Sequence, residues 1–123
     1  MAKQVITESE YEIMKVLWSE NGPLSLGEIL AKLGGKWARN TVGTMLVRLC
    51  EKNVVSYNVK GKSYLYYAVL KENDYNIDET KSFLSKLYNG SIGNMIASLY
   101  ENKEISNDEI DRLRKFINEN SEK

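Results

Sequence analysis

"KWARNTVGTMLVRLCEKNVVSYNVKGKSYLYYAV", from Lys36 to Val69, holds six cations (Lys36, Arg39, Arg48, Lys52, Lys60, Lys62) against one anion, Glu51. The chain as a whole is neutral, with 17 residues of each sign. The stretch changes period midway. Val42, Met45, Leu46 and Leu49 recur at i, i+3, i+4 and i+7 and predict an amphipathic helix over about 39–52. "VVSYNV" and "SYLYYAV" follow as runs of β-branched and aromatic residues parted by Lys60-Gly61-Lys62. They predict a hairpin, because Gly61 takes a positive φ without steric cost. Away from its apolar stripe the helix carries Arg39, Asn40, Gly43, Thr44, Val47, Arg48 and Glu51. That face is mostly polar, small in its middle and positive at two places, and small side chains let a helix approach another surface closely.

Toward the N-terminus, two further helices start with one grammar. Thr7 with Glu10, and Ser25 with Glu28, form capping boxes. Ile6 with Tyr11, and Leu24 with Ile29, stand where hydrophobic staples would. Tyr11, Met14, Leu17 and Trp18 give the first helix its apolar side; Ile29, Leu30 and Leu33 give the shorter second one its own. "NGP" at 21–23 and Gly34-Gly35 end them. The order helix, helix, helix, hairpin is that of a winged helix-turn-helix. The "GPLS" segment is placed to pair with the hairpin as a third strand, with Pro23 suited to its edge.

After Val69, "LKENDYNID" reads as a polar linker, and three amphipathic helices follow. Asp78 would cap the first, with Phe83, Leu84, Leu87 and Tyr88; Ser91 the second, with Ile92, Met95, Ile96, Leu99 and Tyr100. Ser106 and Glu109 form a third capping box before Ile110, Leu113, Phe116 and Ile117. A unit of that size buries little apolar area alone, so its stripes are expected to close against a second copy. The expected fold is mainly α with a small antiparallel β wing. A winged helix-turn-helix domain spans 1–70, a linker 71–77 and a three-helix dimerisation domain 78–123.

Residues 1–70 hold nine Lys/Arg and six Asp/Glu, a net of +3; residues 71–123 hold eight and eleven, a net of −3. The basic part is the candidate for an anionic partner. Histidine is absent and Cys50 is the single cysteine. The usual general base, a thiolate-imidazole zinc site and a disulfide framework are therefore excluded. No phosphate-cradling glycine motif occurs, so neither an enzyme nor a cofactor is expected. No apolar run reaches the roughly 20 residues of a membrane span. The N-terminus "MAKQVITESEYE" lacks the apolar core of a signal peptide. A cytoplasmic protein without direct membrane insertion is expected.

A basic helix or a lysine-flanked turn alone is often only solvated surface. Together, in helix-turn-helix order and in a neutral chain, they favour DNA. The competing reading is a winged-helix module that docks another protein without sequence-specific DNA binding. Tyr57, Tyr64, Tyr66 and Tyr67 are better suited to packing on the core than to stacking on single-stranded bases. Cys50 reads as a small buried apolar residue, and Trp37 as packing at the start of the third helix rather than lining a groove.

"YEIMKVLW", "TVGTMLVRLCEKNVV", "SYLYYAV", "KSFLSKLYNG" and "EIDRLRKFI" closely resemble the penicillinase-repressor (BlaI/MecI) family, from about Ser9 to the C-terminus. The resemblance implies a repressor that binds palindromic operator DNA as a homodimer. It also implies possible control of β-lactam resistance or a related stress operon through a membrane sensor-protease. By position it assigns Thr41, Thr44 and Arg48 to the operator and Lys60 and Lys62 to the wing. Arg39 and Asn40 join the DNA set from the helix pattern, and either Arg39 or Arg48 could read a base. The Asn-Phe bond cut in well-studied members falls here on Ser98-Leu99, so release by another dimer-weakening event stands beside proteolysis. Ala38 occupies the family's capping-serine position, with Asn40 expected to cap instead, and Gly43 replaces a bulkier residue. The family's copper-responsive branch has a cysteine-rich tail; this chain reads "NENSEK" there, so no copper site is expected.

Overall fold

The computed structural model describes residues 5–121. Three helices come first: α1 (Glu8–Trp18), α2 (Leu26–Lys32) and α3 (Arg39–Glu51). The hairpin β1 (Val55–Lys60) and β2 (Ser63–Ala68) follows, then α4 (Glu72–Leu87), α5 (Ile92–Glu101) and α6 (Asn107–Asn120). Contacts divide the chain into two compact units between Tyr75 and Asn76.

In the first unit the caps form as the sequence indicates. The Thr7 and Ser25 hydroxyls accept the N–H of Glu10 and Glu28, and both glutamates return a bond to their cap's backbone N–H. Gly34 and Gly35, at φ 68° and 78°, turn the chain after α2. At α3 the expected Asn40 cap is not found. Ala38 is the N-cap, with no side-chain bond. The register is held by burial of Val42, Met45, Leu46 and Leu49, and the Val42 N–H reaches the Ala38 carbonyl at 3.1 Å.

Asn53 ends α3 with φ 63°. Its N–H reaches the Cys50 carbonyl at 3.0 Å, and the Val54 N–H reaches Leu49 at 3.2 Å. This is a Schellman turn with asparagine at the left-handed position. It sends buried Val54 and Val55 under the helices and starts the wing within four residues of α3. Val55 pairs with Ala68 and Lys60 with Ser63, leaving Gly61-Lys62 as the tip. Only Gly61 has positive φ there, as a type II′ turn requires. Leu24 adds a single bridge to Tyr66, with N–H···O distances of 2.9 and 2.7 Å.

The core comprises Ile13, Met14, Leu17, Leu24, Ile29, Val42, Met45, Leu46, Leu49, Val54 and Val55. Ile13, absent from the sequence-based stripe of α1, is fully buried, whereas Tyr11 and Trp18 lie half-buried beside it. Trp37 and Cys50 pack on the core's edge.

The linker expected over 71–77 and the cap expected at Asp78 are not found, because α4 already runs from Glu72. The stretch contains neither glycine nor proline, and Glu72 and Asp74 in the first turn complement the helix dipole. Tyr75 supplies tertiary support: its ring lies 5.6 Å from Tyr11 and 5.7 Å from Trp18, and the Trp18 Nε1–H donates to the Leu70 carbonyl.

In the second unit Ser91 and Ser106 cap α5 and α6 through the N–H of Asn94 and Glu109. The Glu109 carboxylate pairs with Arg112 instead of closing the box. Among the described residues, α4, α5 and α6 contain no buried side chain. Leu84, Tyr88, Met95, Ile96, Leu99 and Ile110 are half-buried. Phe83, Leu87, Leu113, Ile117 and Phe116, the last at 63%, are exposed.

Candidate nucleic-acid interface

The four buried positions of α3 fix its outward face by geometry. Arg39, Asn40, Thr41, Thr44, Val47 and Arg48 are exposed on it, and Gly43 is half-exposed. Helical spacing places Arg39 and Gly43 along one edge, Thr41 and Arg48 along the other, and Asn40, Thr44 and Val47 between them. The Thr44 hydroxyl donates to the Asn40 carbonyl at 3.0 Å, so its proton is committed within the helix. Lys60 and Lys62 are exposed at the wing tip.

The six cations of the opening stretch divide by what they touch. Lys52 is structural: its Nζ donates to Glu10 Oε1 and, at 2.7 Å, to the Val5 carbonyl. Lys36 lies over the Trp37 ring, 4.8 Å from its centroid. Arg39, Arg48, Lys60 and Lys62 have no ion-pair partner among the described residues. Charge counting does not separate these groups, because Lys52 meets Glu10 across 42 positions of sequence.

Glu10 is 1% exposed. Burial acts to raise its pKa, but the Lys52 ammonium and the Thr7 N–H outweigh burial and hold the carboxyl below its usual value. Oε2 has no hydrogen-bond partner among the described residues. The pair therefore ties the start of α1 to the end of α3 through one carboxylate oxygen. Burial raises the Cys50 pKa, which keeps a protonated thiol at neutral pH.

The wing tyrosines divide as well. Tyr66 packs on the core; burial first, then the nearby Cys50, Tyr64 and Tyr57, raises its pKa. Tyr57 and Tyr64 overhang the core, exposed, and stack on each other at 4.4 Å. Their cross-strand register, Tyr57 with Tyr66 and Val59 with Tyr64, puts all of them on one sheet face. The hairpin is longer than the core beneath it, so its outer pairs pack on one another, and Tyr67 lies exposed on the opposite face. The sequence expectation of core packing therefore holds for Tyr66 alone among the four. The alternating strand pattern carried the face but not the hairpin's overhang.

In the second unit Ser98 and Leu99 lie in the last turn of α5. The Ser98 carbonyl accepts from the Asn102 N–H and side-chain amide, and the Leu99 carbonyl from the Glu104 N–H at 2.8 Å. The peptide bond between them sits inside a fully bonded helical turn.

No group of three or more His, Cys, Asp or Glu able to hold a metal occurs among the described residues. No helix among them is long and apolar enough to cross a membrane.

Residues 6–119 match the protein family described as "Penicillinase repressor". The penicillinase repressor of Bacillus licheniformis is 31% identical over 116 residues, 93% of this chain and 90% of that one. The solution structure of the DNA-binding domain of the repressor BlaI superposes with a TM-score of 0.51 at 30% identity, covering 60% of this chain and 94% of that one. The solution structure of monomeric Bacillus licheniformis BlaI in complex with the blaP half-operator gives 0.50 at 30% identity, over 58% and 89%.

Proposed function

The chain belongs to the penicillinase-repressor family, and from that membership we propose that it is a transcriptional repressor binding palindromic operator DNA as a homodimer. The observation that carries the reading is the set of four exposed cations that make no ion pair among the described residues, Arg39 and Arg48 on α3 and Lys60 and Lys62 at the wing tip. The fold gains nothing internal from that arrangement, whereas phosphates and guanine edges satisfy it. The protein acts by occupancy rather than catalysis, in the cytoplasm where its operator is.

In this reading α3 enters the major groove. Arg39 or Arg48 forks onto a guanine while the other holds phosphate. Asn40 and Thr41, near the start of α3, fix its position on the duplex. The wing lysines bind phosphate without reading sequence.

The second unit joins two copies through Phe83, Leu84, Leu87, Tyr88, Met95, Ile96, Leu99, Ile110, Leu113 and Ile117. Two half-sites on one duplex then bind together, with strong gain from effective concentration. Release follows from any event that weakens this dimer, including a cut near Ser98-Leu99 by a membrane sensor-protease system. Because that bond lies in a bonded turn, a protease would have to open the end of α5 first. Control of β-lactam resistance or a related stress operon is the family-consistent output.

The test is titration of the full-length protein against a duplex footprinted upstream of its own gene, over a series of salt concentrations. Lys60→Ala should weaken all duplexes alike and flatten the salt slope by about one unit. An unchanged slope would remove the wing from the interface. Failure to bind any duplex at low salt would favour the protein-docking module instead.

A further inference from the structure

The outward face of α3, from its Gly43 edge to its middle, carries chemistry that the arginines do not explain. Gly43 lies in mid-helix, where glycine is less favourable than alanine. Nothing in the fold asks for it. Its φ is not left-handed, and a Cβ built there meets nothing within 4 Å. One turn on, Val47 is 56% exposed, an apolar side chain on a polar face. Thr44 has committed its hydroxyl proton to the Asn40 carbonyl, so what it offers a partner is a methyl group and an oxygen lone pair. Val47 lies one turn from both of the others, four residues after Gly43 and three after Thr44, so it joins the Gly43 edge of the face to its middle in one patch. The exposed guanidinium groups of Arg39 and Arg48 stand at its edges, with no acid in the helix before Glu51.

Resting on the DNA-binding reading, we propose that this patch reads thymine. The C5-methyl groups of thymines in the major groove pack on Val47 and on the Thr44 methyl, and the missing side chain at Gly43 lets α3 approach closely enough for that contact. Thymine is the one standard base that presents a methyl group in the major groove, and small apolar side chains are its usual partners. Charge complementarity selects this occupant over an apolar groove of another protein. A protein groove would have to neutralise two guanidinium groups at the patch edges, whereas a duplex brings phosphates and guanine acceptors to both. The proposal also accounts for a helix that gives up intrinsic stability at Gly43 and leaves Val47 in water.

The experiment uses the full-length protein and a duplex it selects from a random-sequence pool. That duplex is resynthesised with deoxyuridine for thymidine at each enriched position, a change that removes only the methyl groups. Affinity should fall about three- to fivefold per contacted methyl, the scale of burying one such group. Val47→Ala should weaken binding to the thymidine duplex by a similar factor and leave binding to the deoxyuridine duplex nearly unchanged. Gly43→Ala should raise the melting temperature of the free protein while lowering affinity for the selected duplex.

Equal affinity for the two duplexes, or an equal loss on both for Val47→Ala, would overturn thymine reading with operator binding intact. A Gly43→Ala protein that binds as tightly as the parent would overturn the close approach. If no duplex is enriched at all, the failure lies in the DNA-binding reading itself.

Discussion

The two units are written in the same local code and end in opposite states. Each opens two of its helices with Ser or Thr caps bonded to the N–H three residues on, and each closes helices with residues in the left-handed region. Yet among the described residues the first unit assembles a closed core of eleven apolar side chains, while the helices of the second bury none. Capping and periodicity therefore decide that a helix forms and which side is apolar. They do not decide whether that side finds a partner within its own chain. The first unit gains closure at the start of the wing, where buried Val54 and Val55 pack against the three helices. The second has no such closure among the described residues, and the exposed Phe83, Leu87, Phe116 and Ile117 are the apolar surface that the proposed homodimer would bury.

The contrast would break first at the core. Leu46 is fully buried on α3, so Leu46→Ala should cost about 2–5 kcal/mol of the first unit's stability. That loss should not depend on protein concentration, and denaturant unfolding across a hundredfold concentration range measures both quantities. Next comes the clamp between α1 and α3. Glu10→Gln leaves the Lys52 charge beside a neutral amide and should cost about 1–3 kcal/mol. The Glu10 pKa is depressed in the fold. Its contribution is therefore complete above the unfolded carboxylate pKa and is lost as pH falls through the lower folded value. The gap between parent and variant should be full at pH 7 and narrow progressively below about pH 4. A gap that widened on acidification would contradict the ion pair.

The second unit should answer differently. Phe116→Ala removes an exposed aromatic side chain and should leave the melting of the first unit unchanged. It should raise the dimer dissociation constant about tenfold, roughly 1.4 kcal/mol. Sedimentation of both proteins over a concentration series checks this. A variant with unaltered self-association would place Phe116 outside the interface.

Most of the first unit was legible because its determinants are local. The boxes at Thr7 and Ser25, the stripe from Val42 to Leu49 and the turn at Gly61 all lie within one or two helical turns or a single hairpin. What escaped depends on distant partners. Lys52 looks like any other cation of a basic segment until Glu10 is brought beside it. The polar run before Asp78 lacks an apolar stripe of its own, yet it becomes helix where Tyr75 meets Tyr11 and Trp18. The candidate interface was legible as a face, since burial of one side of α3 fixes the other. Its division into paired and unpaired cations was not.

The smallest expected effect compares one left-handed helix end from each unit. After α3, Asn53 sits at φ 63°; after α5, Lys103 sits at φ 62°. The bonding is the same at both. The Lys103 N–H reaches Tyr100 at 3.0 Å and the Glu104 N–H reaches Leu99 at 2.8 Å, matching Asn53 to Cys50 and Val54 to Leu49. Asparagine tolerates this conformation, whereas lysine bears the full clash of its Cβ with backbone. Glycine relieves that clash at either site but loses more chain entropy on folding. Lys103→Gly should thus stabilise the second unit by about 0.5 kcal/mol, and Asn53→Gly should change the first by no more than about 0.3 kcal/mol. Unfolding midpoints of the two variants decide it. An equal gain at both positions would mean that the two turns carry equal strain, and that asparagine is no better accommodated after α3 than lysine is after α5.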